Sequence, residues 1–441
     1  MAAKINRIAG ITVGGFKSIC TEQHIEIEPL TILAGANSSG KSSIMQPLLL
    51  LKQTLETPSD PGALLLDGPN VKFTLSDQLL ARLPGRKCSD SFTVGINLQN
   101  DQSLTLVFRP QLRKGFEVTK MIYEADRESF QIVPKMAHED IEKIIPDRIR
   151  SYYDFFKRRE KTTLRWAVYR DHCFLSFELI KNREARQIAS RRYTTMSPGR
   201  DFVSYIEGII HLPGLRGNPQ RTYPIRAGGP NFQGTFEPYV ASVINQWQTE
   251  HSEKMGDLGK TLEDMGLTWK VQSKAIDDTQ VELKVGRLMH SKQGGAKDLV
   301  SIADVGFGVS QSLPVIVALL AAQPGQLVYL EQPEIHLHPL AQRRLANVLR
   351  DSIERGVVAV VETHSALLIR ELQTLVATEQ ISREDIALHW FQRGEDGSTT
   401  ITTANLDDQG AYGDWPEDFD RTELEAEKAY LDAVEFRERR K

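Results

Sequence analysis

The sequence predicts an α/β fold around a parallel sheet, with a large α+β insertion, and three observations carry that prediction. A glycine-rich loop, residues 35–42, lies between an apolar strand pattern and an apolar helix pattern. A second apolar strand, residues 327–330, runs into acidic residues at the end where open α/β sheets place their ligands. From Lys297 onward strand and helix patterns alternate, which implies parallel pairing.

Along the chain, residues 5–15, 24–28 and 30–34 read as strands, the last meeting Gly35. Residues 41–55 read as a helix through Ile44, Met45, Leu48, Leu49, Leu51 and Leu55, with a local kink predicted at Pro47. Residues 205–212 read as a strand, followed by the loop Pro213-Gly214-Leu215-Arg216-Gly217-Asn218-Pro219-Gln220-Arg221. A helix over 312–322, a strand over 326–330, a helix over 339–353 stopped by Gly356, a strand over 357–361 and a helix over 366–375 complete the alternation.

The length of 441 residues accommodates two or three cores, or one fold carrying a large insertion. No apolar run approaches the roughly 18 to 20 residues of a membrane span. The start, Met1-Ala2-Ala3-Lys4-Ile5-Asn6-Arg7, has a cation but no apolar core before a cleavage site, so a cytoplasmic location without a membrane partner is expected. Cys20, Cys88 and Cys173 form neither a CxxC pair nor a disulfide framework, and read as buried or incidental thiols. A net charge of −4 gives no long-range attraction to a polyanion, so nucleic-acid contact would require a local basic surface.

The most specific motif is Gly35-Ala36-Asn37-Ser38-Ser39-Gly40-Lys41-Ser42, which matches the phosphate-binding pattern GxxxxGK[ST] and has the strand and helix that the pattern requires. Glycines let the backbone wrap a phosphate, the helix N-terminus adds partial positive charge, Lys41 reaches the β- and γ-phosphates of ATP, and Ser42 offers a hydroxyl to Mg²⁺. The strand 327–330 ends in Glu331-Gln332-Pro333-Glu334, a Walker B position. Glu331 would hold Mg²⁺ through its water shell, and Gln332 or Glu334 would face the attacking water. Glu362-Thr363-His364-Ser365 puts His364 at the tip of another apolar strand, either as a structural histidine or as a sensor of the γ-phosphate. Gly306, Gly308, Ser310 and Gln311 lie in a glycine-rich turn before a helix, a second set of N–H groups suited to an anion and, being far downstream, to a site completed by another subunit. His336 and His338 lack a Cys or carboxylate set at zinc-ligand spacing.

Together these residues resemble the SMC/RecF/OLD branch of ABC-type ATPases, most closely bacterial AAA-family ATPases with a C-terminal domain of unknown function. Phe16-Lys17-Ser18-Ile19 resembles that family's opening motif near the adenine, and residues 35–43, ending in Ser43, its Walker A loop. Residues 306–311 resemble its signature, 331–334 its Walker B, 336–339 its D-loop, 363–365 its histidine switch and 414–419 a closing motif. The resemblance implies a P-loop NTPase, an ABC-type ATPase head with a mixed sheet and a large α+β insertion. It also implies a homodimer or higher homo-oligomer with ATP between the P-loop of one copy and the signature of the other. Relatives act on DNA ends, in chromosome maintenance, or in anti-phage defence, where Septu, PARIS and retron-type systems pair such an ATPase with a separate effector, a nuclease or toxin.

Two departures bear on activity. Gln332 stands where relatives carry the catalytic Glu, and an amide cannot take a proton, so slow turnover or use of ATP as a clamp in a scaffold or sensor is expected as the alternative. Gly306 stands where many relatives have Ser. An LSGGQ-like signature is missing, against a transporter ATPase, and the DxD of Asp418 and Asp420 is expected to be a coincidence at a C-terminal turn, since too little chain follows His364 for a metal-dependent nuclease domain.

The expected organisation is an N-terminal ATPase part (1–95), an inserted domain (96–204), a connecting α+β region (205–296), a C-terminal ATPase part (297–420) and a charged helix (421–441) that caps the domain or docks a partner. In the insert, Arg158, Arg159, Arg183, Arg186, Arg191 and Arg192 interleave with Tyr152, Tyr153, Phe155, Phe156, Trp166 and Tyr193. That pattern suits nucleic acid, an acidic partner protein, or a solvated face.

Overall fold

The computed structural model describes residues 5–125, 128–146, 150, 164–181, 192–227, 229, 231–288, 298–413 and 428. The chain opens with β1 (Ile8–Gly14), β2 (Gln23–Glu26) and β3 (Leu30–Gly35), then α1 (Lys41–Leu55), which continues through Pro47. Strands β4 (Phe92–Leu98), β5 (Ser103–Gln111), β6 (Gly115–Ala125) and β7 (Glu128–Ile132) form a meander, and β8 (Leu164–Asp171), β9 (Phe174–Lys181) and β10 (Arg192–Met196) another. Helix α2 (Arg200–Glu207) leads to β11 (Ile210–Leu212), then α3 (Val240–Thr249) and α4 (Lys254–Asp264). The strands β12 (Val271–Ala275), β13 (Gln280–Gly286) and β14 (Leu299–Ser301) build a small antiparallel sheet. The C-terminal part runs α5 (Phe307–Ala321), β15 (Leu327–Glu331), α6 (Pro339–Glu354), β16 (Val358–Thr363), α7 (Ala366–Ala377), β17 (Ile386–Arg393) and β18 (Thr399–Ala404).

One sheet organises the molecule, in the order β11-β15-β16-β3-β17-β18, parallel throughout except for the antiparallel β18. It is buried on both faces, which the period of two makes visible. Leu33, Tyr329, Val358 and Val360 enter one core, whereas Ile32, Val328, Ala359 and Val361 enter the other. The first core lies under α1 and a second, antiparallel sheet, β2-β1-β4-β5-β6-β7; the other holds α3, α5, α6 and α7. Parallel strands end together, so β3, β15 and β16 deliver the phosphate loop, Glu331 and Glu362 to one edge, with Glu331 opposite Glu362 and Glu362 opposite Leu33.

Several expectations change. The strand expected over 205–212 forms only at Ile210–Leu212, and its first three residues are helix through Glu207, because Phe202 and Ile206, four apart, bury one helical face. The expected boundary at 95/96 falls inside β4, which pairs with β1, so the first part of the expected insert is built into the N-terminal sheet. Cys20 and Cys88 are paired as a disulfide with Cα atoms 5.6 Å apart; folding places 68 residues of separation within reach, which spacing alone did not reveal. Cys173 is a buried free thiol. Trp166 is buried in the core and offers no face for a base. Arg158, Arg159, Arg183, Arg186, Arg191, Tyr152, Tyr153, Phe155, Phe156 and the 414–419 motif lie outside the described residues, as does the 421–441 helix apart from Lys428. Among the described residues no helix is long and apolar enough to cross a membrane.

Candidate functional site

The loop between β3 and α1 has the backbone of an anion cradle. Gly35 and Gly40 take φ of 144° and 101°, and Ser38 is left-handed at 60°. A Cβ on Gly35 would strike the Phe391 carbonyl, and one on Gly40 would lie 2.5 Å from Thr399 Oγ1. Helix α1 starts without a side-chain cap and without an acidic residue in its first turn, leaving its N–H groups to a ligand. Lys41 folds back on its own loop, donating to the carbonyls of Gly35 (3.1 Å) and Ala36 (2.9 Å). Burial lowers the pKa of its ammonium, against the pull of Glu362 and Glu334. Ser39 is 1% exposed with its Oγ unpartnered, and Ser43 is buried within α1, whereas Asn37 and Ser38 are exposed.

Beside the loop opens a cavity of about 460 Å³ that Lys17, Lys41, Arg82 and Arg393 line together with Ser42, Asp77 and Glu362. The β17–β18 hairpin holds its floor: Thr399 Oγ1 lies 2.7 Å from both Ser18 Oγ and the Ser39 carbonyl, and Arg393 donates to the Ser38 carbonyl at 3.0 Å. Phe16 was expected at this cavity, but its ring is fully buried, edge-on to Phe92 at 5.3 Å, so it cannot meet a ligand. Lys17 does line the cavity, and burial lowers its pKa.

Two carboxylates end adjacent strands, and their surroundings separate them. Ser42 Oγ (2.8 Å) and the buried Tyr329 hydroxyl (3.0 Å) both donate to Glu362 Oε2. Burial raises the pKa of Glu362 in spite of those bonds and of Lys41. Glu331 is also pushed up by burial, but hydrogen bonds from His211 (3.0 Å) and Gly214 N (3.2 Å) outweigh this and hold it below the usual carboxylate range. The carboxylate that meets Ser42 is therefore Glu362, one strand nearer the loop than Glu331. Glu334 is 7% exposed; its Oε1 accepts from Thr363 Oγ1 (2.7 Å) and His364 N (2.9 Å), while Oε2 has no described partner. Burial, with Lys41 beside it, lowers the pKa of His364, against the opposing pull of the Gly35 backbone. Gln332 has a left-handed backbone (φ 44°), its main-chain N–H donating to the Glu362 carbonyl at 2.7 Å.

At the start of α5, Gly306 is the N-cap residue without a side-chain bond, and Phe307 is 51% exposed beside His336, with ring centres 5.6 Å apart. Ser310 and Gln311, expected to reach outward, are buried: Ser310 Oγ donates to the Phe307 carbonyl (3.2 Å) and Gln311 Nε2 to the Gly217 carbonyl (3.2 Å). Of the expected signature residues, Gly306 is exposed and Gly308 half-buried.

A family model described as "AAA domain, putative AbiEii toxin, Type IV TA system" matches residues 30–370. The chain belongs to this AAA domain family. The matched span runs from the strand before the phosphate loop to the helix after His364, so the AAA domain contains both carboxylates and the glycine turn at 306–308. Its fold is that of a P-loop NTPase, an ATPase domain of the AAA/ABC type, and membership implies nucleotide binding, with Mg²⁺ the usual companion ion. No curated protein sequence matches the chain. Among solved structures, an SMC head bound to the C-terminal winged-helix domain of ScpA is 12% identical with a TM-score of 0.46, covering 91% of this chain and 98% of that one. An SMC head domain from Thermotoga maritima is 11% identical with a TM-score of 0.41, covering 91% and 100%. An SMC head with an extended coiled coil, bound to the C-terminal domain of ScpA derived from Pyrococcus furiosus, is 12% identical with a TM-score of 0.46, covering 98% and 100%. At these TM-scores the likenesses carry no argument of their own.

The AAA domain's own residues fit a magnesium nucleotide. The uncapped helix, the orphaned Ser39 hydroxyl and four lining cations suit phosphates, and the oxygens of Ser42 and Glu362 suit a hard divalent ion. Glu362, Tyr329, His211, Arg393 and Thr399 were not singled out in the sequence. Glu362 carried a signal, as a carboxylate immediately before Thr363-His364-Ser365 on a buried strand; the others act through contacts that only folding creates.

Proposed function

We propose that this chain is an ATP-hydrolysing subunit of a bacterial anti-phage defence or DNA-maintenance complex, a homodimer at its nucleotide sites that controls a separate effector such as a nuclease or toxin. The observation that carries the reading is the bare N-terminus of α1, with Lys41 behind it and the Ser42–Glu362 pair beside it, opening on a cation-lined cavity. The family description, which names a toxin of a toxin–antitoxin system, supports a defensive role over transport. The second uncapped helix end, at exposed Gly306, supports completion of the site by another copy.

In this reading the N–H groups of 37–42 and Lys41 hold the phosphates of ATP, with Asn37, Ser38, Gly40 and Ser43 shaping the loop. Ser42 and Glu362, with Glu331 behind them, would hold Mg²⁺, which when bound neutralises phosphate charge. Glu334 offers a buried, unpartnered Oε2 to the attacking water. Water adds to the γ-phosphorus, the bond to the β,γ-bridging oxygen breaks, and the water's proton passes to Glu334. Gln332 and His364 orient the water and the γ-phosphate, and Gly306 and Gly308 face the nucleotide of the second copy.

A non-hydrolysing, ATP-dependent scaffold or sensor is the second reading, favoured by Gln332, an amide at the end of the Walker B strand. Titration of a fluorescent ATP analogue and steady-state phosphate release decide between them. The ATPase reading requires saturable binding that Lys41→Ala removes and turnover that Glu334→Ala abolishes. Binding without turnover would select the scaffold, and no binding at all would end both.

A further inference from the structure

Arg216 is 7% exposed, and burying a guanidinium is costly unless its N–H groups are met. Its three described hydrogen bonds all go to main-chain carbonyls, none to a carboxylate. Nη2 donates to the carbonyls of Glu331 (3.0 Å) and Gln332 (3.2 Å), and Nη1 to that of Gln311 in α5 (3.2 Å). Burial lowers its pKa to about 10, with Glu334, Glu237 and Glu331 opposing.

The two places Arg216 joins are the turn after Glu331 and the helix that begins at the signature segment. Gln332 holds a left-handed backbone that a non-glycine residue adopts only when its surroundings enforce it. Its backbone N–H donates to the Glu362 carbonyl at 2.7 Å and its backbone carbonyl accepts from Arg216. The loop carrying Arg216 is pinned again, since Gln311 Nε2 donates to the Gly217 carbonyl (3.2 Å) and Gly217 N donates to Glu237 Oε1 (2.9 Å). The guanidinium reaches these carbonyls from two separate nitrogens held in one plane, whereas a lysine ammonium would have to reach all three from a single atom on a differently shaped stem.

We propose that Arg216 is a positioning residue, a clamp that keeps Gln332 in its left-handed conformation and ties the 332–334 turn to α5, so that a change at either end is transmitted to the other. Its effect on turnover rests on the ATPase reading; the mechanical link does not.

The test is Arg216→Lys in the full chain, read by hydrogen–deuterium exchange without nucleotide and by ATPase kinetics. The clamp predicts faster exchange in peptides over both 331–337 and 306–313, with none over 35–45. It also predicts a kcat lowered roughly tenfold or more while KM for ATP stays within about twofold. A merely structural cation predicts that lysine restores both. Exchange that rises at one end only, or at neither, overturns the proposal whatever the kinetics. If Arg216→Lys does not fold, Glu237→Ala, which loosens the same loop from its other side, is read by the same exchange criterion. Wild-type protein that shows no ATP binding refutes the ATPase reading, while the exchange result still decides the clamp.

Discussion

Ser42 Oγ donates a 2.8 Å hydrogen bond to Glu362 Oε2, joining two residues 320 positions apart at the edge of the parallel sheet. The contact exists because β3 and β16 are neighbours in register, with Leu33 opposite Glu362. It makes Glu362, more than Glu331, the carboxylate that shares the phosphate loop's hydroxyl.

Glu362→Gln should stabilise the nucleotide-free protein while weakening the magnesium-dependent part of ATP binding. Burial raises the pKa of Glu362 above its unfolded value, so its ionisation opposes folding increasingly as pH rises above the ordinary carboxylate range, until its own raised pKa is passed. Thermal melts from acid to neutral pH should show the variant melting higher near neutrality, with the gap closing below about pH 4. A variant that melts lower at pH 7 would sink the argument.

Gly35→Ala should destabilise the protein by about 2–4 kcal/mol, because its φ of 144° disfavours a side chain and the new Cβ meets the Phe391 carbonyl. Denaturant titration measures the loss. Wild-type stability would show that the loop and β17 are farther apart than described.

Cys20→Ser should lower stability by up to about 4 kcal/mol without reductant, the chain-entropy value for a closed loop of 68 residues. With reductant, wild type should fall to the variant's level. Mass analysis after alkylation in denaturant without reductant gives an independent check, since three modified cysteines instead of one would contradict the pairing.

Gln332→Glu should raise steady-state phosphate release roughly tenfold or more, by placing a proton acceptor where the wild type has an amide. The accompanying Glu334→Ala measurement should move the other way. Unchanged or lower turnover in Gln332→Glu would mean that the turn, held by Glu362 and Arg216, does not face the water.

Much of the fold was legible in sequence, for reasons that differ between elements. The strands at β3, β15 and β16 are continuous apolar runs because both faces are buried, and the loop at 35–42 is a chemical pattern that any copy must spell out in order. The 205–212 segment misled because Tyr205, Ile206 and Ile209 suit a strand as well as a helix, and packing of Phe202 and Ile206 chose the helix up to Glu207. Phe16 was misplaced because a motif marks a neighbourhood, not an orientation; its neighbour Lys17 lines the cavity and Phe16 faces inward.

The phosphate loop, the acidic strand ends and the parallel alternation that brings them together can be read from local spacing and burial period, without any long-range contact. Folding alone brings Glu362 to Ser42, Cys20 to Cys88, and Arg216 to both the turn at 331–332 and α5. Each of those contacts joins segments distant in sequence, and its energy depends on register and desolvation, which exist only once the sheet has closed around them.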